Sequence, residues 1–263
     1  MAIGVCFSHG VADGSAIFNF MKTWGEIARG VINDNDNICN NNIVLDCTSL
    51  FPPVKFPQQY QIPSPQSSRK IVFKRLLFDG KKIATLKEKR VKERGQLITS
   101  CTLIHYAMNL RNKMNPPVFP RCMGNIARLV RAEWSLAEDD AIEVTSLVRE
   151  VVKAKRMGRE VMNNDEYFGF IKDMYEVGED SRSFLLTSMV GLPCDEVDFG
   201  WGKPVWFSLG PILLPDLAIL SSASDSEGIE ALVVMFKEDM EKFEQETSIT
   251  AYASPNPSIF IMK

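Results

Sequence analysis

Five prolines fall between Pro52 and Pro65 in the stretch FPPVKFPQQYQIPSPQSS, and no other feature of the 263-residue chain limits its fold as strongly. Proline fixes φ and removes a backbone donor, so prolines at this density reject both helix and inner strand. The segment, taken as residues 46–69, reads as an extended crossover between two structural units. Just before it, NDNDNICNNN (33–42) is polar and without periodicity, which predicts a loop.

On the N-terminal side of the crossover, the apolar run Ala2–Phe7 predicts a buried strand. Asp13–Ser15 then offers an N-cap for a helix running to about Arg29, with Gly30 just past its end. Ile17, Phe20, Met21, Trp24, Ile27 and Ala28 supply its apolar stripe.

On the other side the expected order is a strand over Lys70–Phe78, then a basic helix from the cap Asp79 to about Arg94. A second helix is expected over Thr99–Arg111, stopped by Pro116 and Pro117, and a strand over Met123–Val130. Ser135 with Glu138 three residues on reads as a capping box opening a long helix to Met157. Short strands are expected over Phe184–Val190, Val205–Leu209, Leu217–Ser221 and Ile229–Phe236, and a last helix over Lys237–Glu246. Strands and helices mixed without strict alternation indicate α/β or α+β rather than a doubly wound sheet.

Composition narrows the function. Hydrophobic residues make up 45% and charged residues 24%, as in ordinary globular proteins, and the net charge is −3. Such a chain has no electrostatic case for binding nucleic acid or an anionic membrane. It also has no apolar stretch of spanning length. Six cysteines (Cys6, Cys39, Cys47, Cys101, Cys122, Cys194) lie scattered, without a C-x-x-C pair and with only two histidines. That excludes a credible metal site and favours buried free thiols in the reducing cytoplasm.

Two stretches could carry chemistry. His9 and Asp13 form H-x-x-x-D where the expected strand meets the expected helix. A free imidazole titrates near neutral pH, so a histidine at a strand end suits general-base work, and the small Gly10, Ala12, Gly14 and Ser15 leave room for a substrate. Spacing alone favours a structural histidine over a catalytic one. His105 lies among Leu103, Ile104 and Tyr106 and reads as core packing. The second stretch is EVDFGWGKPVW (196–206), a tight turn in which Gly200 and Gly202 bracket Trp201 and Asp198 requires a cationic partner.

SHGVADGS followed far downstream by DFGWGKP resembles the plant BAHD acyltransferases, which move acyl groups from coenzyme A thioesters to alcohols or amines. SLFPP, KIVFKRLLFDGKKIATLK, NLRNKMNPP followed by MGN, and GIEALVVMFKEDMEKFEQE agree with it. The likeness is greatest to the clade that acetylates hydroxyls of alkaloids and other specialised metabolites. It implies the two-domain, chloramphenicol acetyltransferase-like sandwich of coenzyme A-dependent acyltransferases. Residues 1–45 and 196–217 would belong to the first domain, and 70–195 with 218–263 to the second. Because the histidine motif of that family lies well inside the first domain, the chain is expected to be a C-terminal portion.

The resemblance makes His9 the general base, with Asp13, Gly14, Asp198, Gly200, Trp201, Gly202 and Arg111 as structural motif residues. Arg111 would pair with Asp198, and Asp13 with another arginine. Asn125, Thr187 and Ser188 would approach the thioester or coenzyme A. Acetyl-CoA or another acyl-CoA would be co-substrate beside a small-molecule alcohol, with no permanent cofactor. The family is monomeric and cytoplasmic, and a shortened chain would tend to self-associate. A non-catalytic remnant of the family is the alternative.

Overall fold

The computed structural model describes residues 1–32, 69–88, 94–95, 101–114, 117–119, 121–135, 142–157, 181–210, 212, 214–223, 227–247 and 251–257. The expected polar loop at 33–42 and nearly all of the proline crossover lie outside them.

A seven-stranded mixed sheet organises the fold. Its strands are β1 (Ile71–Phe78), β3 (Cys101–Asn109), β4 (Ala127–Ser135), β6 (Ser181–Ser188), β7 (Leu217–Ser222), β8 (Ile229–Phe236) and β9 (Ser254–Pro255), in the order β4-β3-β6-β7-β8-β1-β9. β3/β6 and β6/β7 run parallel; the other neighbours are antiparallel. A separate two-stranded ribbon joins β2 (Arg94–Gly95) to β5 (Ile142–Glu143). Among the described residues four helices accompany the strands: α1 (Gly14–Ala28), α2 (Gly80–Glu88), α3 (Val144–Met157) and α4 (Lys237–Gln245).

Strand alternation divides the apolar residues between two cores. Ala218 of β7 with Ala231 and Val233 of β8 pack with Leu76, Met240 and Ala253 on the face covered by α4. Leu217 and Ile219 of β7 with Val234 of β8 point the other way and pack with Met189, Phe18 and Phe207. A sheet covered on both faces needs near-continuous apolar strands, as IEALVVMF of β8 supplies.

The strands Leu217–Ser222 and Ile229–Phe236, the strand starting at Ile71 and the last helix match expectation closely. Helix α1 does too. Asp13 caps it by accepting from Ala16 N at 2.9 Å, and Gly30, at φ +70°, closes it. Gly30 N donates to Ile27 O and Val31 N to Glu26 O, both at 2.9 Å, the paired bonds of a Schellman end.

Other expectations are corrected. Ala2–Phe7 is not a strand: no described strand pairs with it, and Met1–Cys6 are exposed. Thr99–Arg111 is not a helix; CTLIHYAMN forms β3, held between β4 and β6. His105 is buried on one face and Met108 on the other while most of their neighbours are half-buried, so the strand shows no clean alternation and its apolar residues imitate helical spacing. The long helix expected from Ser135 does not begin there: Ser135 ends β4 opposite Cys101, and α3 is Val144–Met157, while Glu138 lies outside the described residues. The strand expected over Met123–Val130 begins at Ala127; α2 is Gly80–Glu88, residues 89–93 lie outside the described residues, and Arg94 stands in β2 rather than at a helix end. Val205–Leu209 has no ladder partner among the described strands and is irregular. The expectation of buried free thiols fails at Cys122, which is disulfide-bonded; Cys6 is free but exposed. Cys194 is free, its thiol pushed up to about 12 by burial and by the Asp195 charge.

Candidate active site

Three segments meet where the parallel strands β3 and β6 end, the usual position for ligands in α/β folds. The first is the His9 loop entering α1. The second is the Asn109–Arg111 turn after β3. The third is Cys122–Ile126, which leads into β4.

The Asp13 carboxylate joins them. Besides capping α1, it accepts from Ile126 N at 2.9 Å and from Arg111 Nη1 at 2.8 Å. Arg111 also donates from Nη2 to Cys122 O at 2.9 Å and to Gly124 O at 3.2 Å. Asp13 and Arg111 are 6% and 3% exposed, so this is a buried ion pair whose remaining valences are largely met by backbone. Such a pair fixes geometry more surely than it adds stability. Asp13 therefore has its arginine partner as expected. The Arg111–Asp198 pairing is overturned: Arg111 pairs with Asp13, and Asp198 pairs with Arg29 at 3.2 Å. The expectation joined the two basic and acidic motifs by resemblance; the short Asn109–Arg111 turn instead leaves Arg111 directly beneath the start of α1.

With Asp13 fixed, the loop before it is also fixed. Val11 N donates to Ser8 O at 3.0 Å, closing a turn over His9 and Gly10. Asn125 Nδ2 donates to the His9 carbonyl at 2.7 Å, tying that turn to the segment that holds Asp13.

His9 faces a cavity of about 440 Å³, lined also by Gly14 and Ser15 of α1, Tyr106–Asn109 of β3, and Thr187–Val190 with Leu192 at and beyond the end of β6. Thr187 and Ser188 thus share one cavity with His9. Gly14 borders it, and a Cβ there would meet Leu192 at 3.6 Å. Asn125 contributes through the His9 carbonyl; it is not among the lining residues. Sequence reasoning missed Tyr106, Lys113, Lys155 and Arg156 on the cavity wall. Reading β3 as a helix concealed Tyr106, and Lys155 and Arg156 resembled an ordinary basic helix end.

The DFGWG turn lies on the other side of α1. Asp198 Oδ1 accepts from Gly200 N at 2.7 Å and Gly202 N at 3.0 Å. The Gly200 amide above all, with Gly202 and Arg29 adding to it, holds this carboxyl below the usual range. Gly200 and Gly202 have φ of +102° and +95°, which only glycine adopts freely. Phe199 packs edge-on against Trp24 of α1 at 5.2 Å and neighbours Trp201, while Lys22 pairs with Glu196. The turn therefore braces the helix whose first residues carry the His9 loop. Trp201, 64% exposed, supports this brace from outside.

Among the described residues no helix is long and apolar enough to cross a membrane, and no group of three or more His, Cys, Asp or Glu could hold a metal ion.

Comparison with known proteins agrees with this geometry. The model of the Transferase family matches residues 1–100 and 90–250. The chain is 34% identical to a limonoid 1-O-acetyltransferase of Citrus sinensis, with 98% of this chain and 67% of that protein covered. It is 28% identical to akuammiline synthase 1 of Alstonia scholaris, over 97% of this chain and 65% of that one. The chain thus spans about two thirds of the length of these curated relatives. The crystal structure of vinorine synthase superposes with a TM-score of 0.71 at 23% identity, covering 94% of this chain and 62% of that chain. TRI101 of F. sporotrichioides, solved with coenzyme A and T-2, gives 0.66 at 19% identity, covering 94% and 65%. The fold is that of the coenzyme A-dependent acyltransferases, and the chain belongs to the Transferase family, the BAHD acyltransferases.

Proposed function

We propose that the protein transfers an acyl group, acetyl in the first instance, from a coenzyme A thioester to a hydroxyl of a plant specialised metabolite, with His9 as general base. The observation that carries this reading is the placement of His9 on the cavity beside Thr187 and Ser188, while Asp13 is committed to Arg111 and two backbone amides. The only uncommitted base of the HxxxD pair is the imidazole. His9 takes the acceptor hydroxyl proton as that oxygen attacks the thioester carbonyl. The tetrahedral intermediate collapses, the C–S bond breaks, and the imidazolium returns the proton to the departing thiolate. Thr187 and Ser188 supply hydroxyls on the same wall, suited to hold the thioester end of the donor.

The acetyl donor and hydroxyl acceptor are supported by relatives named limonoid 1-O-acetyltransferase and stemmadenine O-acetyltransferase. The same reading assigns residues 1–45 and 196–217 to one domain and 70–195 with 218–263 to the other, and puts the enzyme in the cytoplasm. Contacts between α1 and the 196–207 segment support that division. The exposed Phe20, Trp24, Trp201 and Trp206 favour self-association of this chain, which size-exclusion chromatography reads.

The test is thiol release from acetyl-CoA in the presence of limonoid and alkaloid alcohols, comparing the protein with His9→Ala. Loss of general-base catalysis lowers turnover about 10²–10⁴-fold with the fold intact. Equal rates would remove His9 from the mechanism.

A further inference from the structure

One end of the His9 cavity is apolar and closed. β6 finishes at Ser188, and the chain turns through Met189 and Val190 to Leu192, all of them on the cavity wall. Gly14, the first residue of α1, borders the same space. A Cβ on Gly14 would lie 3.6 Å from Leu192 Cδ1 and 4.0 Å from Met189 Cγ. Gly14 Cα therefore stands no more than about 5 Å from Leu192 Cδ1, one C–C bond beyond that contact. A carbon lying between two others needs about 7 Å, twice a van der Waals separation. No ligand carbon passes between α1 and the turn here, and the cavity has a floor.

Both sides of the floor are fixed. Met189 N donates to Leu220 O at 2.7 Å and Leu192 N to Met189 O at 3.0 Å, which hangs the turn on β7. Gly14 follows Asp13, whose carboxylate is held by Arg111 and by the Ala16 and Ile126 amides. Behind the floor lies the core of Met189, Leu217, Ile219 and Val234, against which Leu192 packs.

We propose that Leu192, with Met189 behind it, is the stop for the acyl chain of the donor and restricts that chain to acetyl. The identity of the donor rests on the acyltransferase reading above; the closed floor stands on the geometry alone. In that reading Thr187 and Ser188 hold the thioester end, so the carbons beyond the carbonyl meet the residues that follow on the same wall. Those residues are apolar, as an alkyl chain requires, and they leave it no exit. Acetyl adds a single methyl beyond the carbonyl. Each further methylene must displace a side chain anchored in close-packed core. Shortening Leu192 opens the cavity onto that core and gives a longer chain somewhere apolar to go.

Calorimetric titration of the full chain with coenzyme A and its S-ethyl and S-butyl thioethers reads the floor without turnover, because acyl transfer cannot cleave a thioether. The protein should bind the butyl compound no tighter than the ethyl one. In Leu192→Ala the butyl compound should gain up to about fifteenfold over the ethyl one, roughly fourfold for each methylene taken out of water. Leu192→Val, a milder change, should give a smaller gain in the same direction. Free coenzyme A should bind both variants as it binds the protein, which separates the floor from a general loss of the site. Affinity that already climbs with chain length in the unaltered protein, or that stays flat in both variants, would overturn the proposal. So would a raised KM for the alcohol with the thioether series unmoved, which would give the apolar wall to the acceptor. The expected shift without any acyl transfer would keep the floor and sink the transferase reading. Transfer from acetyl-CoA with no shift would do the reverse, and failure to bind any of the three compounds would sink both.

Discussion

Arg111 Nη1 lies 2.8 Å from Asp13 Oδ2, an ion pair joining residues 98 positions apart. It holds the start of α1 to the turn after β3 and so sets where the His9 loop stands. Removing either partner leaves the other charge buried, which costs about 3–5 kcal/mol. Arg111→Met and Asp13→Ala should therefore both lower the urea midpoint strongly. Arg111→Lys should rescue only part of the loss, since one ammonium cannot reach Asp13, Cys122 O and Gly124 O together. Asp13→Ala with wild-type stability and a selective loss of turnover would give Asp13 a chemical role instead.

Sequence patterns located this site better than they located the sheet around it. Asp13 as an N-cap, Gly30 as a helix end and the glycines of the DFGWG turn are local devices, written into neighbouring residues. The eight residues Ile229–Phe236 were likewise legible, being all apolar but Glu230 and rich in β-branched residues. β3 was not. With His105 buried on one face, Met108 on the other and most of the rest half-buried, CTLIHYAMN carries no clean alternation and could not be told from a helix without its neighbours β4 and β6. The partner of Arg111 was hidden for a related reason. Which carboxylate meets it depends on how α1 seats against the strand ends, and no spacing within either motif encodes that.

Gly25 lies inside α1, where alanine would ordinarily gain about 0.8–1 kcal/mol of helix propensity. Here its sign reverses. A Cβ at Gly25 would fall 2.4 Å from the Asp198 carbonyl oxygen, a backbone atom that the Asp198–Gly200–Gly202 bonds hold in place. Gly25→Ala should destabilise by about 1–3 kcal/mol, as overpacking does, and should loosen the brace behind the His9 loop. Thermal unfolding checks this; a raised melting temperature would show that the turn can yield.

His105, 1% exposed, stays neutral in the folded protein down to about pH 4, pulled down first by burial and then by Arg131, its cross-strand partner in β4. The unfolded chain takes up that proton near 6.5. Its contribution is thus complete above pH 6.5, is lost as the pH falls toward 4, and is level below that, on the order of 3 kcal/mol in all. The difference in urea midpoint between the protein and His105→Gln, followed from pH 7.5 to 4.5, isolates this residue from the carboxylates. That difference should narrow on acidification. A gap independent of pH would mean that His105 titrates normally.

Asn125 separates two ways of supporting the chemistry. Its amide donates to the His9 carbonyl at 2.7 Å, and Ile126 N and Gly124 O on either side hold Asp13, so Asn125 acts on the base through its backbone. A positioning residue of this kind should change turnover while leaving donor affinity alone, because a small displacement of the imidazole disturbs the alignment from which catalysis draws its advantage. Asn125→Ala is expected to lower kcat about tenfold, the equivalent of one charge-free hydrogen bond at the upper end of its range, with KM for acetyl-CoA unchanged. Asn125→Asp removes the donor and sets a carboxylate against a carbonyl oxygen, so it should lower kcat further. Asn125→Gln, which keeps the amide on a longer stem, should recover part of the rate. If instead KM for acetyl-CoA rises while kcat holds, Asn125 binds the donor and the tether to His9 is incidental.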